Sequence, residues 1–226
     1  MAQKSSRPEV SPPYPLLRKL LGQLPFSLTE SQKKVMSEIR SDMESGRGLS
    51  RLVQGDVGSG KTVVGLLSMF MAIDCGYQTA MMVPTELLAL QHFTRIRDYL
   101  SGLPVRVELL VGSLRAREKK KIHKGLASGE IDMVIGTQAL IQEAISFRRL
   151  GFAVIDEQHR FGVKQRARLG SRGELPHFLV MTATPIPRSL AQIVYGDLEL
   201  SVIEKLPFGR RKVTTEVITE DDRSEC

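Results

Sequence analysis

The stretch Val53-Gln54-Gly55-Asp56-Val57-Gly58-Ser59-Gly60-Lys61-Thr62 decides how the rest of the chain is read. It has the form G-x-x-x-x-G-K-T. Residues 49–53 before it read as a short buried strand, and 61–75 after it read as a helix closed by Gly76. Glycines 55, 58 and 60 let the backbone curl until successive N–H groups face one anion. A helix starting at Lys61 adds its positive dipole end to the same point. In this reading Gly55, Asp56, Val57, Gly58, Ser59, Gly60, Lys61 and Thr62 cradle a nucleoside triphosphate. Lys61 neutralises the β- and γ-phosphates, and the Thr62 hydroxyl holds Mg²⁺.

The composition agrees with a nucleotide-using enzyme and excludes several other classes. With 226 residues, 42% of them apolar, the chain can bury the core of one large domain or two small ones. Its apolar runs are short and interrupted, so no membrane span is expected. The first fifteen residues have no apolar core after Lys4, so they do not read as a secretory signal. Cys75 and Cys226 lie far apart and match no disulfide or metal spacing, which points to a reducing cytoplasm and to no metal other than Mg²⁺. A net charge of +7 favours a polyanionic partner beyond the nucleotide.

Around the loop, strand-like and helix-like segments alternate. Strands are expected at 79–83, 105–111, 132–135, 152–155 and 178–181, with a closing strand within 196–204. Helices are expected at 16–21, 27–43, 86–100, 114–127, 139–145 and 188–195. Repeated alternation predicts an α/β fold, a mostly parallel sheet with helices on both faces. Ligands in such sheets bind outside the carboxyl ends of the strands. Three segments are predicted: an N-terminal arm and short helix at 1–26, a nucleotide-binding domain at 27–204, and a linker at 205–226. The arm is expected to be flexible, because its first fifteen residues hold four prolines and three serines with no periodicity.

Two further junctions carry chemistry. The apolar run 152–155 ends in Asp156 and Glu157, 95 positions after Lys61. A carboxylate pair at a strand end on the same sheet edge as the loop suits one task each. Asp156 orders Mg²⁺ through its water shell beside Thr62, and Glu157 orients the water that attacks the γ-phosphate. Thr182 and Thr184, in Met181-Thr182-Ala183-Thr184-Pro185, sit at another strand end. They cap the helix that follows, or hydrogen-bond to the acidic pair or to His159 and so link the site to another surface, or do both. His159 has no second His or Cys at ligand spacing, so it reads as a hydrogen-bonding group.

The segments G-D-V-G-S-G-K-T, P-T-E-L-L-A-L-Q-H, V-G-S, G-T-Q-A-L, D-E-Q-H-R-F-G-V and T-A-T-P-I-P-R-S-L occur in the order of superfamily 2 helicase motifs I to III. From residue 16 to 213 the chain resembles the RecG family of bacterial ATP-dependent DNA helicases, in its first RecA-like motor lobe. Transcription-repair coupling factors share R-F-G-V and T-A-T-P-I-P-R, but they usually carry phenylalanine where Ser59 stands and glutamate where Gln158 stands. RNA helicases usually show D-E-A-D with S-A-T. A nucleotide-binding module without catalysis would not need Lys61, Thr62, Asp156 and Glu157 together.

The resemblance implies ATP and Mg²⁺ as cofactors and branched or duplex DNA as partner. It implies a RecA-like P-loop NTPase domain, and a bacterial, nucleoid-associated, cytoplasmic setting. It further implies a wedge domain before residue 16 and a second helicase lobe after the linker. Gln32 matches the glutamine that reads the adenine edge, although Thr29-x-x-Gln32 is also a helix capping box. Thr85, Gly112, Ser113, Thr137 and Gln138 match the motifs that contact nucleic acid, where small and hydroxyl residues at helix starts suit phosphate oxygens. Ordinary helix capping is the competing explanation for each. The basic run Arg115, Arg117, Lys119, Lys120, Lys121 and Lys124 is either a solvated helix face or an extension of that surface.

Overall fold

The computed structural model describes residues 8–46, 48–137, 140, 145–156, 175–184 and 198–204. Within them the order is α1 (Pro15–Gln23), α2 (Glu30–Glu44), β1 (Ser50–Gly55), α3 (Lys61–Asp74), β2 (Gln78–Met82), α4 (Glu86–Tyr99), β3 (Val107–Leu110), α5 (Ala116–Ser128), β4 (Met133–Gly136), β5 (Leu150–Asp156), β6 (His177–Thr182) and β7 (Glu199–Ile203). The strands form one seven-stranded sheet in the order β3-β4-β2-β5-β6-β1-β7. Every pairing in it is parallel. All the expected strands are present, with ends moved by one to three residues. The helix expected at 188–195 lies outside the described residues, as does that at 139–145 apart from Leu140 and Ile145.

Crossover handedness explains which face each helix covers. From β1 to β2 to β3 the chain moves one way across the sheet, and then it turns back to β4. Right-handed crossovers therefore put α3 and α4 on one face and α5 on the other. The core follows this division. Val53, Met81, Phe152, Val154 and Met181 pack with α3 and with Ala89 and Ile96 of α4. Their strand neighbours Leu52, Met82, Ala153, Ile155 and Val180 pack with Ile122 and Leu126 of α5. The central strand β5 is buried along its whole length, as two covered faces require. At Gly65, an added Cβ would stand 3.2 Å from Met181 Sδ and 3.4 Å from Val154 Cγ1, so the small residue lets α3 lie close on the sheet.

Residues 8–14 differ from the flexible arm expected of them. Val10 and Tyr14 are buried. The Glu9 N–H donates to Tyr77 Oη at 3.0 Å, and Tyr14 Oη donates to Glu44 at 2.9 Å. The Pro8 carbonyl lies 3.0 Å from Nε2 of the buried His177, whose Nδ1 accepts from the Leu49 N–H at 2.9 Å. Two aromatic or aliphatic anchors among the prolines supply the burial that composition alone did not suggest.

Helix α1 is docked by a carboxylate from another element. Pro15 occupies its first turn, and it has no side-chain cap of its own. Instead Asp74, at the end of α3, accepts from Leu16 N–H at 2.8 Å and from Leu17 N–H at 3.0 Å. An anion at these orphaned first-turn donors satisfies both the hydrogen bonds and the helix dipole. Leu20 is then fully buried. Asp74→Ala should lower unfolding stability by about 2 kcal/mol, the scale of hydrogen bonds to a charged acceptor. Asp74→Asn should lose less. Urea midpoints measure both, and an unchanged midpoint for the alanine variant would mean that α1 docks through its apolar face alone.

Candidate nucleotide and nucleic-acid site

Because all strands run the same way, their carboxyl ends form one row. Strand register sets the order within it. Gln54 of β1 pairs with Thr182 of β6, Met181 of β6 with Asp156 of β5, Ile155 of β5 with Met82 of β2, and Gly136 of β4 with both Met82 and Leu110 of β3. The loop after β1 is therefore separated from Asp156 by one strand, about 10 Å across the sheet. The segments holding Thr85, Gly112, Ser113 and Thr137 continue the same row beyond β5. Gln138, Glu157 and His159 lie outside the described residues.

The loop has the backbone that its glycines predict. Gly58 and Gly60 have φ of 82° and 87°, a region that side chains disfavour. Lys61 opens α3 and is largely buried. Its Nζ donates to the carbonyls of Gly55 at 2.7 Å and Asp56 at 3.0 Å. The cation is thus folded over the mouth of the loop by the chain's own oxygens, where a phosphate would offer better acceptors. Ser59 is fully buried, and its Oγ has no hydrogen-bond partner. Two positive-φ glycines, a buried lysine and the start of α3 thus lie together within residues 55–62. This donor set fits a polyphosphate.

Gln32 serves two elements. Thr29 caps α2 with its side chain accepting from the Gln32 N–H at 3.2 Å, while Gln32 Oε1 accepts from the Thr29 N–H at 2.9 Å, so the capping box is formed. The same amide then reaches the phosphate loop, where Nε2 donates to the Ser59 carbonyl at 2.7 Å. Gln32 is almost fully buried, and a Cβ on Gly60 would collide with its amide. The sequence showed the cap but not this tie to the loop, which joins positions 27 residues apart. Phe26, six residues before Gln32, is exposed and stands edge-on to Tyr99 at 6.4 Å.

Asp156 ends β5 and is nearly buried. Its Oδ2 lies 3.2 Å from Nε2 of His92, on α4. Thr182 is buried, and its Oγ1 accepts from the Thr184 N–H at 3.1 Å, so it closes a turn within its own loop. That turn holds the strand end in shape whatever else the hydroxyl meets.

At the far end of the row, Thr85 caps α4 by accepting from the Leu88 N–H at 3.3 Å. Its neighbour Glu86 bridges to the next loop: Oε1 accepts from the Ser113 N–H at 3.1 Å and Oε2 from Ser113 Oγ at 2.5 Å. The Gly112 N–H adds to this cluster, and these donors hold the Glu86 carboxyl below the usual carboxylate range. The tie is therefore complete at neutral pH and is lost only as pH falls through that lowered value. In the sequence Glu86 stands beside Thr85 in a candidate nucleic-acid segment, but its tie to Ser113 is not visible there. It joins two of the segments expected to meet nucleic acid, and it uses the very donors that a phosphate would seek. Thr85, Gly112 and Ser113 are all exposed, and Thr137 is partly so.

The sequence and its fold recur among known proteins. The sequence profile of the DEAD/DEAH box helicase family matches residues 29–193. The ATP-dependent DNA helicase RecG of Synechocystis is 51% identical over 208 residues, covering 92% of this chain and 25% of that protein. RecG of Thermotoga maritima is 50% identical over 206 residues, covering 91% of this chain and 26% of that protein. A solved structure of RecG bound to a three-way DNA junction matches with a TM-score of 0.86 and 44% identity, over 99% of this chain and 30% of that one. The fold is accordingly RecA-like, and the chain spans about a quarter of the length of the curated relatives named. With its phosphate loop, Asp156 and Thr182 on adjoining strand ends of such a sheet, the chain belongs to the DEAD/DEAH box helicase family.

Proposed function

We propose that this chain is the ATP-binding and hydrolysing motor lobe of a DNA helicase or translocase. It would remodel branched DNA, reversing stalled forks and migrating Holliday junctions in recombination and repair. The observation that carries this reading is the loop itself: Lys61 is buried at the start of α3, behind glycines of positive φ, with one strand between the loop and Asp156. Identity of 50% and 51% to RecG proteins along this chain supports DNA, rather than RNA, as the polymer.

Within this reading each residue has a task. The loop amides and Lys61 bind the β- and γ-phosphates, with Lys61 exchanging its carbonyl partners for phosphate oxygens. Gln32 keeps its bond to Ser59 and offers its remaining N–H and lone pair to the adenine edge. Thr62, and Asp156 through a bound water, would hold magnesium, which would neutralise phosphate charge. Glu157 orients the attacking water and draws off its proton. Thr182, Thr184 and His159 connect this chemistry to neighbouring loops. Thr85, Gly112, Ser113, Thr137 and Gln138 meet the DNA backbone, so contact there is indifferent to sequence. A second helicase lobe and a wedge domain are the expected companions, and the bacterial nucleoid is the expected place of work.

Lys61→Ala should weaken ATP binding by at least tenfold, about 1.4 kcal/mol, in calorimetry. Unchanged affinity would mean that the loop is not a nucleotide site. In the protein that carries both helicase lobes, Glu157→Gln should leave binding intact while turnover falls by roughly 10², the scale of a positioned base. Near wild-type turnover would assign water activation to another group. On a chain carrying the second lobe, forked DNA should stimulate ATP hydrolysis more than RNA of equal length does, and DNA affinity should fall steeply with salt as phosphate contacts release counterions. Equal stimulation by RNA would remove DNA from the reading.

A further inference from the structure

His92 stands on the buried side of α4. With Ala89 and Ile96 it follows the i, i+3, i+7 spacing of a helix face, and those two neighbours are buried. A polar ring on such a stripe needs a hydrogen-bonding partner. The partner it finds is Asp156, at 3.2 Å from Nε2 to Oδ2, with both side chains largely covered at 15% and 12% exposure. No other acidic side chain of the described residues is paired with this histidine.

We propose that His92 is a positioning residue for Asp156. It fixes the carboxylate at the end of β5 in the orientation that magnesium binding requires. The bond occupies Oδ2 and leaves Oδ1 for a water of the metal's shell. An aspartate at a strand end otherwise samples several side-chain orientations, and magnesium tolerates little departure from octahedral geometry. Groups that orient metal-binding side chains in this way typically change metal affinity by 10- to 100-fold. The bond also joins Asp156 to α4 as a rigid body. Glu86, which holds Ser113, lies six residues earlier in the same helix, about 9 Å along its axis. This proposal rests on the reading of Lys61, Thr62 and Asp156 as a magnesium–nucleotide site.

The test is the binding of a fluorescent ADP analogue to the 226-residue chain, with magnesium and with a chelator. In His92→Ala the affinity without metal should match wild type, while the tightening caused by magnesium should shrink by roughly tenfold, the low end of the range for such partners. His92→Gln, whose amide nitrogen reaches about as far as Nε2, should restore most of the magnesium effect. His92→Leu, which fills the space without donating, should not. In an Asp156→Ala background, His92→Ala should add nothing further. Full magnesium tightening in folded His92→Ala would overturn the proposal and leave the site assignment standing. Equal losses with and without magnesium, matched by a lower melting temperature, would make His92 a packing residue and overturn it too. Wild-type protein that binds no nucleotide in either condition would instead bring down the site assignment, and the proposal with it.

Discussion

Everything at this site depends on the strands running in one direction. Parallel pairing forces each connection to cross back over a face of the sheet, so every strand delivers its carboxyl end to the same edge. Gly55, Asp156 and Thr182 come from positions up to 127 residues apart, yet register makes them neighbours. The crossover helices then start from that edge. Their first-turn N–H groups, free of intrahelical partners, face whatever binds there. One geometric constraint thus supplies both the row of side chains and the row of donors.

The hydrogen bonds around the phosphate loop share a common logic. Lys61 is satisfied by Gly55 and Asp56, Gln32 by Thr29 and Ser59, and the Ser113 donors by Glu86. In each case a group suited to a ligand is held by the protein's own atoms. Such pairing keeps buried or half-buried polar groups from being orphaned, and a ligand that replaces it need supply only somewhat better partners. Away from the edge, Arg51 has a different role. It lies on β1 and is buried, and its guanidinium meets Asp42, Glu38 and the Ser201 hydroxyl, which in turn donates to Glu38. Planar donors on several sides satisfy a buried cation that would otherwise be costly, and they tie α2 to the sheet.

The strands and the loop were legible because their signals are local. Six expected strands and the closing one were found, since a run such as Phe152-Ala153-Val154-Ile155 needs no partner to be recognised as buried on both faces. The Thr29–Gln32 cap is three residues long and was visible for the same reason. Residues 8–14 misled, because proline and serine content predicts disorder unless specific anchors are bought elsewhere, and those anchors are Tyr77, Glu44 and His177. The His177 contact with Pro8 spans 169 positions, beyond any periodicity argument.

By itself the sequence determined the class of fold, the phosphate loop, the acidic strand end and the order of the motifs, because each is written in a few adjacent residues. Only the tertiary structure decided that Gln32 grips Ser59, that Asp74 caps α1, that Glu86 holds Ser113, and that His92 reaches Asp156. These are contacts between side chains on different elements. Which residues meet depends on crossover handedness, strand register and the rotation of a helix about its axis. A single sequence carries the periodicity of each element but not the angle at which one element faces another.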